Sequence, residues 1–386
     1  MLKLYNSFSL SKEDFVPFEK DLVKIFICGP TVYDYAHVGH ARIFLTYDLL
    51  SRFLVDQGLQ TDVLVNLTDI NQNVFNKARE NSTTYKDVAK FYTSAFENDL
   101  QSLGVQSVNR LAYVSDYVSQ IEHEVKKLVE KGVAYTAHGN VYLDVSQVKN
   151  YGKISQQTLA QLNLHRLDIG PGKKNPEDIM LWNCTDDFDF SWKSEFGVGI
   201  PWWHMQDTAV AFENFGKNYD IHGGARELLY PHHEAHLAQY QLLSGSEVPV
   251  KSWVHVGLVF SGGEKMSKSL GNVVWVKDLV GKYDSNLVRL YIFSKHYRDD
   301  MEFSEKEMLA KKPLLDLIYH AGMKASDVTH QDILNLISNI IAALQDDLDS
   351  PTALARLEEL CTGVKNGKTI SETDFNRICK IFGIKI

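Results

Sequence analysis

No stretch of this 386-residue chain approaches the run of about 20 apolar residues that a membrane-spanning helix needs. The N-terminal residues MLKLYNSFSLSKEDF also lack a basic region followed by an apolar one. Membrane insertion and secretion are therefore not expected, and a cytoplasmic location is the default. Cysteine is scarce. Cys28, Cys184, Cys361 and Cys379 lie far apart and offer neither a disulfide framework nor a CxxC metal knuckle, so reduced thiols are expected. Basic charge is not in excess either: 40 Lys and Arg stand against 49 Asp and Glu, a net charge of −9. That balance argues against a nucleic-acid binder that uses its whole surface, and any RNA would have to be gripped by a local patch. Internal repeats and low-complexity tracts are absent as well.

What is present is a chain with 44% hydrophobic residues, enough for a sizeable core and for two or three domains. Val23 to Cys28 (VKIFIC) reads as a buried strand that runs into a Gly29-Pro30 loop. Ala41 to Leu54 repeats apolar residues at helical spacing, and Asp62 to Leu67 reads as another strand, so the chain opens like a parallel α/β sheet. Helical periodicity dominates from about Tyr85 to Lys131, and Val133 to about Trp203 is richer in short strands and turns. Sheet pattern returns at Tyr219 to His222, followed by a helix from about Pro231 to Leu243 and a strand near Trp253 to Phe260. Beyond Asp284 the pattern is almost wholly helical. The expected fold is α/β: a Rossmann-type parallel sheet split by a mixed α/β insertion and followed by a C-terminal helical bundle. The expected division is 1–110 and 206–275 for the two halves of the sheet domain, 111–205 for the insertion, and 276–386 for the helices.

His37-Val38-Gly39-His40 lies between the first strand and the first helix, where an open α/β sheet binds its ligand. Gly39 allows close backbone approach, the helix N-terminus favours phosphate, and the two imidazoles can donate to phosphoryl oxygens. Alone, two nearby histidines on a helix turn are more often surface or core residues. Glu264-Lys265-Met266-Ser267-Lys268-Ser269 follows a strand and a Gly-Gly turn. It places two lysines and two hydroxyls on a loop able to fold over a triphosphate. Alone, it would be an ordinary solvated basic loop. The two motifs in this order, about 220 residues apart, make both bland readings improbable.

HVGH and KMSKS resemble the two signature motifs of class I aminoacyl-tRNA synthetases. The stretches CGPTVYDYAHVGHAR, TDI, VYLDVSQVKNYGKIS, KKNPEDIMLW, YDIHGG, PHHE, GEKMSKSLGN and HYRDDMEFSE resemble cysteinyl-tRNA synthetase in the same order. The likeness is strong to about residue 310 and weaker beyond, where DDLDSPTALARL is still recognisable. It implies an ATP-dependent ligase. An amino-acid carboxylate attacks the α-phosphate of ATP, pyrophosphate leaves, and an aminoacyl-adenylate forms. By resemblance His37, His40, Lys265 and Lys268 are catalytic, with magnesium accompanying ATP. Gly39, His222, Gly223, Gly224, Glu227, Met266 and Ser267 bind ATP, Glu227 standing where the family has an aspartate near the ribose. Gly29, Thr31, Thr68 and Trp203 line the amino-acid pocket.

In this family a zinc ion held by two cysteines, a histidine and a glutamate binds the substrate thiolate. Cys28 and His232 match that set. Asp207 stands for the second cysteine and His236 for the glutamate, so the expected metal set is Cys28, Asp207, His232 and His236. Trading a thiolate for a carboxylate makes the site harder and less suited to thiolate substrates. Asn71-Gln72-Asn73 also departs from the family's acidic and basic DDK. The anticodon-binding domain of the family would begin about where the chain ends, as in the truncated mycothiol-pathway relative that joins cysteine to an amino sugar. Three readings follow. The first is a ligase that passes cysteine or a related small amino acid to a small amine, a carrier or an unusual tRNA. The second is a minimal cysteinyl-tRNA synthetase that uses the tRNA acceptor end, and the third a non-catalytic paralogue.

Overall fold

Five parallel strands run through the centre of the computed structural model, which describes residues 1–158, 161, 170–185, 187, 190–266 and 270–386. Leu22–Ile27 is the middle strand. Gln60–Leu67 and then Arg110–Tyr113 lie on one side of it, and Tyr219–Ala225 and then Val250–Val256 on the other. Val23, Ile25, Phe26 and Ile27 are all buried, as expected of a parallel sheet covered on both faces. Chain order reverses between Leu22–Ile27 and Tyr219–Ala225, so a crevice opens at the carboxyl ends of those two strands. Cys28 directly follows the first of them.

Between the halves of this sheet the chain forms a second, antiparallel one. Its strands are ordered Ala134–Ala137, Asn140–Leu143, Ile179–Cys184, Gly197–Pro201 and Trp192–Ser194. Fully buried Trp182 shares one core with Ile121, Val125 and Leu128, which lie on the apolar face of the helix Val118–Glu130. After Asp284 come the helices Ser285–Phe293, Glu305–Leu309, Lys312–Met323, Gln331–Gln345, Ser350–Lys365 and Glu372–Phe382.

The strands differ from expectation in two places. The helices Tyr85–Ser102 and Val118–Glu130 fill most of the stretch from Tyr85 to Lys131, but between them Arg110–Tyr113, a strand not anticipated, pairs with Gln60–Leu67 at the edge of the central sheet. It is four residues long and only Ala112 is buried, so it leaves almost no periodic signal between two strong helices. The single strand expected from Trp253 to Phe260 is two strands. Val250–Val256 belongs to the central sheet, whereas Val259–Ser261 joins Glu264–Lys265 and Met301–Glu302 in a small sheet. Arg42 holds the break between them. Its buried guanidinium donates to the carbonyls of Gly257 (3.2 Å), Leu258 (3.0 Å), His296 (2.9 Å) and Asp299 (2.6 Å).

Asp48, on the helix Val38–Asp56, fastens the sheet domain to the terminal helices. Its fully buried carboxylate accepts from Arg289 (2.6 Å), Arg52 (2.7 Å) and the backbone amides of Gln106 and Ser107. Burial alone would raise its pKa, but Arg289, Arg52 and these hydrogen bonds outweigh it and hold the carboxyl below its usual range. Arg289 also donates to the carbonyls of Leu103 and Phe382, so one ion pair spans three segments.

Candidate active site

The helix Val38–Asp56 begins at the crevice and is capped by its own motif. His37 is the N-cap, and its Nδ1 accepts the amide of Gly39 at 3.0 Å. His40 Nδ1 accepts the amide of His37 at 3.2 Å, and the two rings lie 4.0 Å apart. With both Nδ1 atoms accepting, each neutral imidazole carries its proton on Nε2. Burial lowers the pKa of His37, with Lys265 adding to the effect and Glu227 and Asp34 opposing it. Burial, reinforced by His37, takes His40 well below the usual imidazole range. The motif therefore presents two neutral N–H donors beside a helix N-terminus.

A cavity of about 310 Å³ lies in front of them, lined by Cys28, Gly29, Thr31, His37, Gly39, His40, Glu227, Lys265 and Met266 among others. Lys265 forms an ion pair with Glu227 across it. A second cavity of about 550 Å³ shares Pro30, Thr31, His37, His40 and Met266 and is walled by Tyr33, Tyr35, Tyr92, Phe96 and Trp275. That aromatic wall was not anticipated. Its signal was present in the sequence only as the tyrosines of YDYAHVGH, because Tyr92 and Trp275 come from separate elements. Ser267 and Lys268 lie outside the described residues.

Gly29 is where the backbone turns under Asn66: a Cβ there would lie 1.8 Å from the Asn66 carbonyl. The Asn66 side chain accepts from the Gly29 amide at 2.8 Å and donates to Asp207 Oδ1 at 2.8 Å, which ties the pocket floor to the carboxylate. Thr68 stands beside Thr31 through a backbone bridge. Trp203 does not line the first cavity directly; it stacks on His232, ring centroids 4.5 Å apart at an angle of 4°. Asn71 caps the helix Gln72–Glu80 by accepting from Asn73, so the departure from DDK serves a helix start and not the pocket lining.

Three of the residues expected at ATP, His222, Gly223 and Gly224, do not line the first cavity. His222 is fully buried and turned toward Cys28, with its Nδ1 on the Tyr219 hydroxyl. Gly223 packs under Tyr47, where a Cβ would meet the hydroxyl at 2.1 Å. Gly224 lies beneath Leu228 and His233. That cavity is reached by Ala225, Glu227 and Leu228, just beyond them.

Of the expected metal set, three members converge. Cys28 Sγ donates to Asp207 Oδ2 at 3.0 Å, and His232 Nε2 lies 2.9 Å from the same oxygen. All three are buried, and their donor atoms lie within 4.8 Å of one another. His236 does not join them: its Nδ1 faces Thr208 Oγ1 at 3.1 Å and its Nε2 the Tyr219 hydroxyl at 2.8 Å, so both nitrogens are already engaged. Burial, then the negative charge of Asp207, pushes the Cys28 thiol up. Burial opposes ionisation of Asp207 too, but His232 and the hydrogen bonds it receives keep it below the usual carboxylate range. A thiol, a carboxylate and an imidazole, buried and mutually adjacent, are chemically suited to zinc.

Among solved structures the chain superposes on a Mycobacterium tuberculosis methionyl-tRNA synthetase in complex with methionyl-adenylate. The TM-score is 0.68 at 14% identity, covering 94% of this chain and 88% of that one. It superposes equally, at 0.68 and 11% identity, on the Agrobacterium radiobacter K84 LeuRS in complex with tRNA and LeuAMS, covering 96% of this chain and 84% of that one. At such identities the likeness defines the fold, that of the class I aminoacyl-tRNA synthetases. Sequence narrows the class. Residues 14–312 match the tRNA synthetases class I (C) catalytic domain. A cysteine–tRNA ligase of Thermoplasma volcanium is 36% identical over 360 residues, covering 92% of this chain and 79% of its own. One of Methanococcus maripaludis strain C7 is 33% identical over 390 residues, covering 97% and 82%. The chain belongs to the cysteinyl-tRNA synthetase family and is an ATP-dependent ligase.

Proposed function

We propose that the enzyme activates a small amino acid as its adenylate and transfers it to an acceptor: a small amine, a carrier or the acceptor end of a tRNA. The observation that carries this reading is the pair of adjoining cavities at the switch point. One is bounded by Lys265, Glu227 and the histidine-capped helix, the other by aromatic rings. ATP, with magnesium, occupies the first. The amino-acid carboxylate attacks the α-phosphate, the bond to the β-phosphate oxygen breaks, and pyrophosphate leaves. His37 and His40 donate from Nε2–H, while Lys265 and Lys268 neutralise the charge that grows on the phosphates. Glu227 holds Lys265 over the cavity and receives the ribose. The acceptor enters from the aromatic side, where ring faces stack on a nucleobase or another planar group. The setting is the cytoplasm, and among the described residues no helix is long and apolar enough to cross a membrane.

Cys28, Asp207 and His232 would hold one zinc ion, with Trp203 stacked behind His232. With His236 withdrawn, an ion held by those three residues would be available to the side chain of the amino acid. The harder donor set weakens the preference for a thiolate and admits a hydroxylated or cationic side chain beside Asp207. A pyrophosphate-exchange screen over the common amino acids tests this. Cysteine should be activated poorly, or another small amino acid at a comparable rate, and Asp207→Cys should raise the cysteine rate relative to its competitors. Wild-type enzyme that prefers cysteine over serine by many orders of magnitude would refute it. The second reading, a minimal cysteine–tRNA ligase, is favoured by the relatives' identity over most of the chain. Charging of cysteine tRNA by the wild type would establish it.

A further inference from the structure

Cys28 faces more donors than the first metal set uses. On one side of its Sγ lie Asp207 and His232. On the other, His233 Nε2 lies 3.1 Å from Sγ and His222 Nε2 3.4 Å. The donor atoms fall into two sets of three, Cys28 with Asp207 and His232, and Cys28 with His222 and His233. Within each set they lie within 4.8 Å of one another, and the sets meet at the sulfur. His222 and His233 are both fully buried.

The bare nitrogen of His222 follows from a chain of hydrogen bonds that ends on the histidine withdrawn from the first set. Thr208 Oγ1 donates to Gln239 Oε1 at 2.7 Å, so toward His236 it accepts, from Nδ1–H. His236 Nε2 is then an acceptor and takes the proton of the Tyr219 hydroxyl. The Tyr219 oxygen in turn accepts from His222 Nδ1–H at 2.6 Å, which leaves the lone pair of His222 Nε2 aimed at Cys28. The other nitrogen of His233 is engaged as well. Its Nδ1 lies 2.7 Å from His255 Nε2, and His255 Nδ1 lies 2.8 Å from Ser7 Oγ. A ligating imidazole needs one nitrogen anchored and the other free of its proton.

Without a cation this arrangement is costly. His222 lies with its ring 4.4 Å from His233 and 4.5 Å from His236, and inward-facing lone pairs in a dry interior lose their solvation with little in return. A positive ion between sulfur and imidazoles removes that cost.

We propose that Cys28, His222 and His233 form a second metal subsite, joined to the first through a bridging Cys28 thiolate, and that it takes a borderline divalent transition ion such as zinc or cobalt. Binding displaces the Cys28 proton to solvent, and the two ions share one sulfur. Tyr219 and His236 act as positioning residues for His222.

The test is a count of ions, read without catalysis, so that it stands apart from the adenylation reading. Metal-free protein is titrated with Co²⁺ and with Zn²⁺, and bound metal is measured by elemental analysis and by the near-ultraviolet sulfur-to-cobalt absorption. Wild type should bind two equivalents. His222→Gln and His233→Gln should each bind one, as should Asp207→Asn, all with the sulfur-to-cobalt band retained, and Cys28→Ala should bind none. Tyr219→Phe keeps the ring and removes only the relay hydroxyl; it should weaken the second equivalent by about tenfold or more and leave the first unchanged. One equivalent in the wild type, untouched by His222→Gln and Tyr219→Phe, would overturn the proposal. Each variant is compared by circular dichroism first, and if His233→Gln fails to fold, the His222 and Tyr219 variants decide.

Discussion

At the scale of single residues, the chemistry is set by which nitrogen carries a proton. His37 and His40 are committed to Nε2–H because their Nδ1 atoms accept backbone amides. Protonation would put a second donor against each amide and break the cap. Pyrophosphate exchange should accordingly stay level as pH falls to about 6.5, the ordinary imidazole value, and decline only below it. An acid limb centred at or above 6.5 would count against neutral donors. Lys265 stands beside the same cavity as these histidines, paired with Glu227. Lys265→Ala should lower kcat for exchange by about a hundredfold to a thousandfold, the usual effect of removing one transition-state donor. An unchanged rate would remove this loop from the mechanism.

Between elements, the decisive contact is the buried pair Asp48–Arg289, which joins the helix Val38–Asp56 to the helix Ser285–Phe293. Asp48→Asn leaves Arg289 charged and unpaired in a position only 1% exposed, a loss of about 3–5 kcal/mol. The denaturant midpoint should fall accordingly. Because the folded carboxyl is held below its unfolded value, this stabilisation is complete above about pH 4 and disappears as pH falls through the lower folded pKa. The acid-unfolding limb of the wild type should therefore be steeper than that of Asp48→Asn. Neither partner was singled out in the sequence. Asp48 reads as a polar residue on an amphipathic helix, and its partner lies 241 residues away.

For the whole molecule, a metal held by the folded chain alone stabilises the folded state by mass action, about 2.7 kcal/mol at a hundredfold excess over Kd. Adding zinc to metal-free protein should raise the melting temperature, a chelator should reverse the shift, and Cys28→Ala should abolish it, as differential scanning fluorimetry would show. The shift is global because the donors come from three places. Cys28 follows the middle strand, Asp207 lies on the helix Trp203–Phe215, and His232 starts the helix His232–Ser244.

The sequence by itself determined the parallel α/β core, the insertion that splits it, the HVGH and KMSKS motifs and the family. These rest on local signals: periodicity within one element, residues contiguous in a motif, and motif order along the chain. It also marked Cys28, Asp207 and His232, whose positions in a known pattern survive substitution. Only the tertiary structure decided which way a side chain turns. His236 is one helical turn from His232 and was expected beside it, yet Tyr219 and Thr208 claim both its nitrogens. His222 and His233 stand in motifs that gave no hint of a shared focus on one sulfur, since that focus exists only where a strand and a helix cross. Spacing places residues on a face. Competition among buried donors and acceptors, each of which must find a partner away from water, then decides what that face binds.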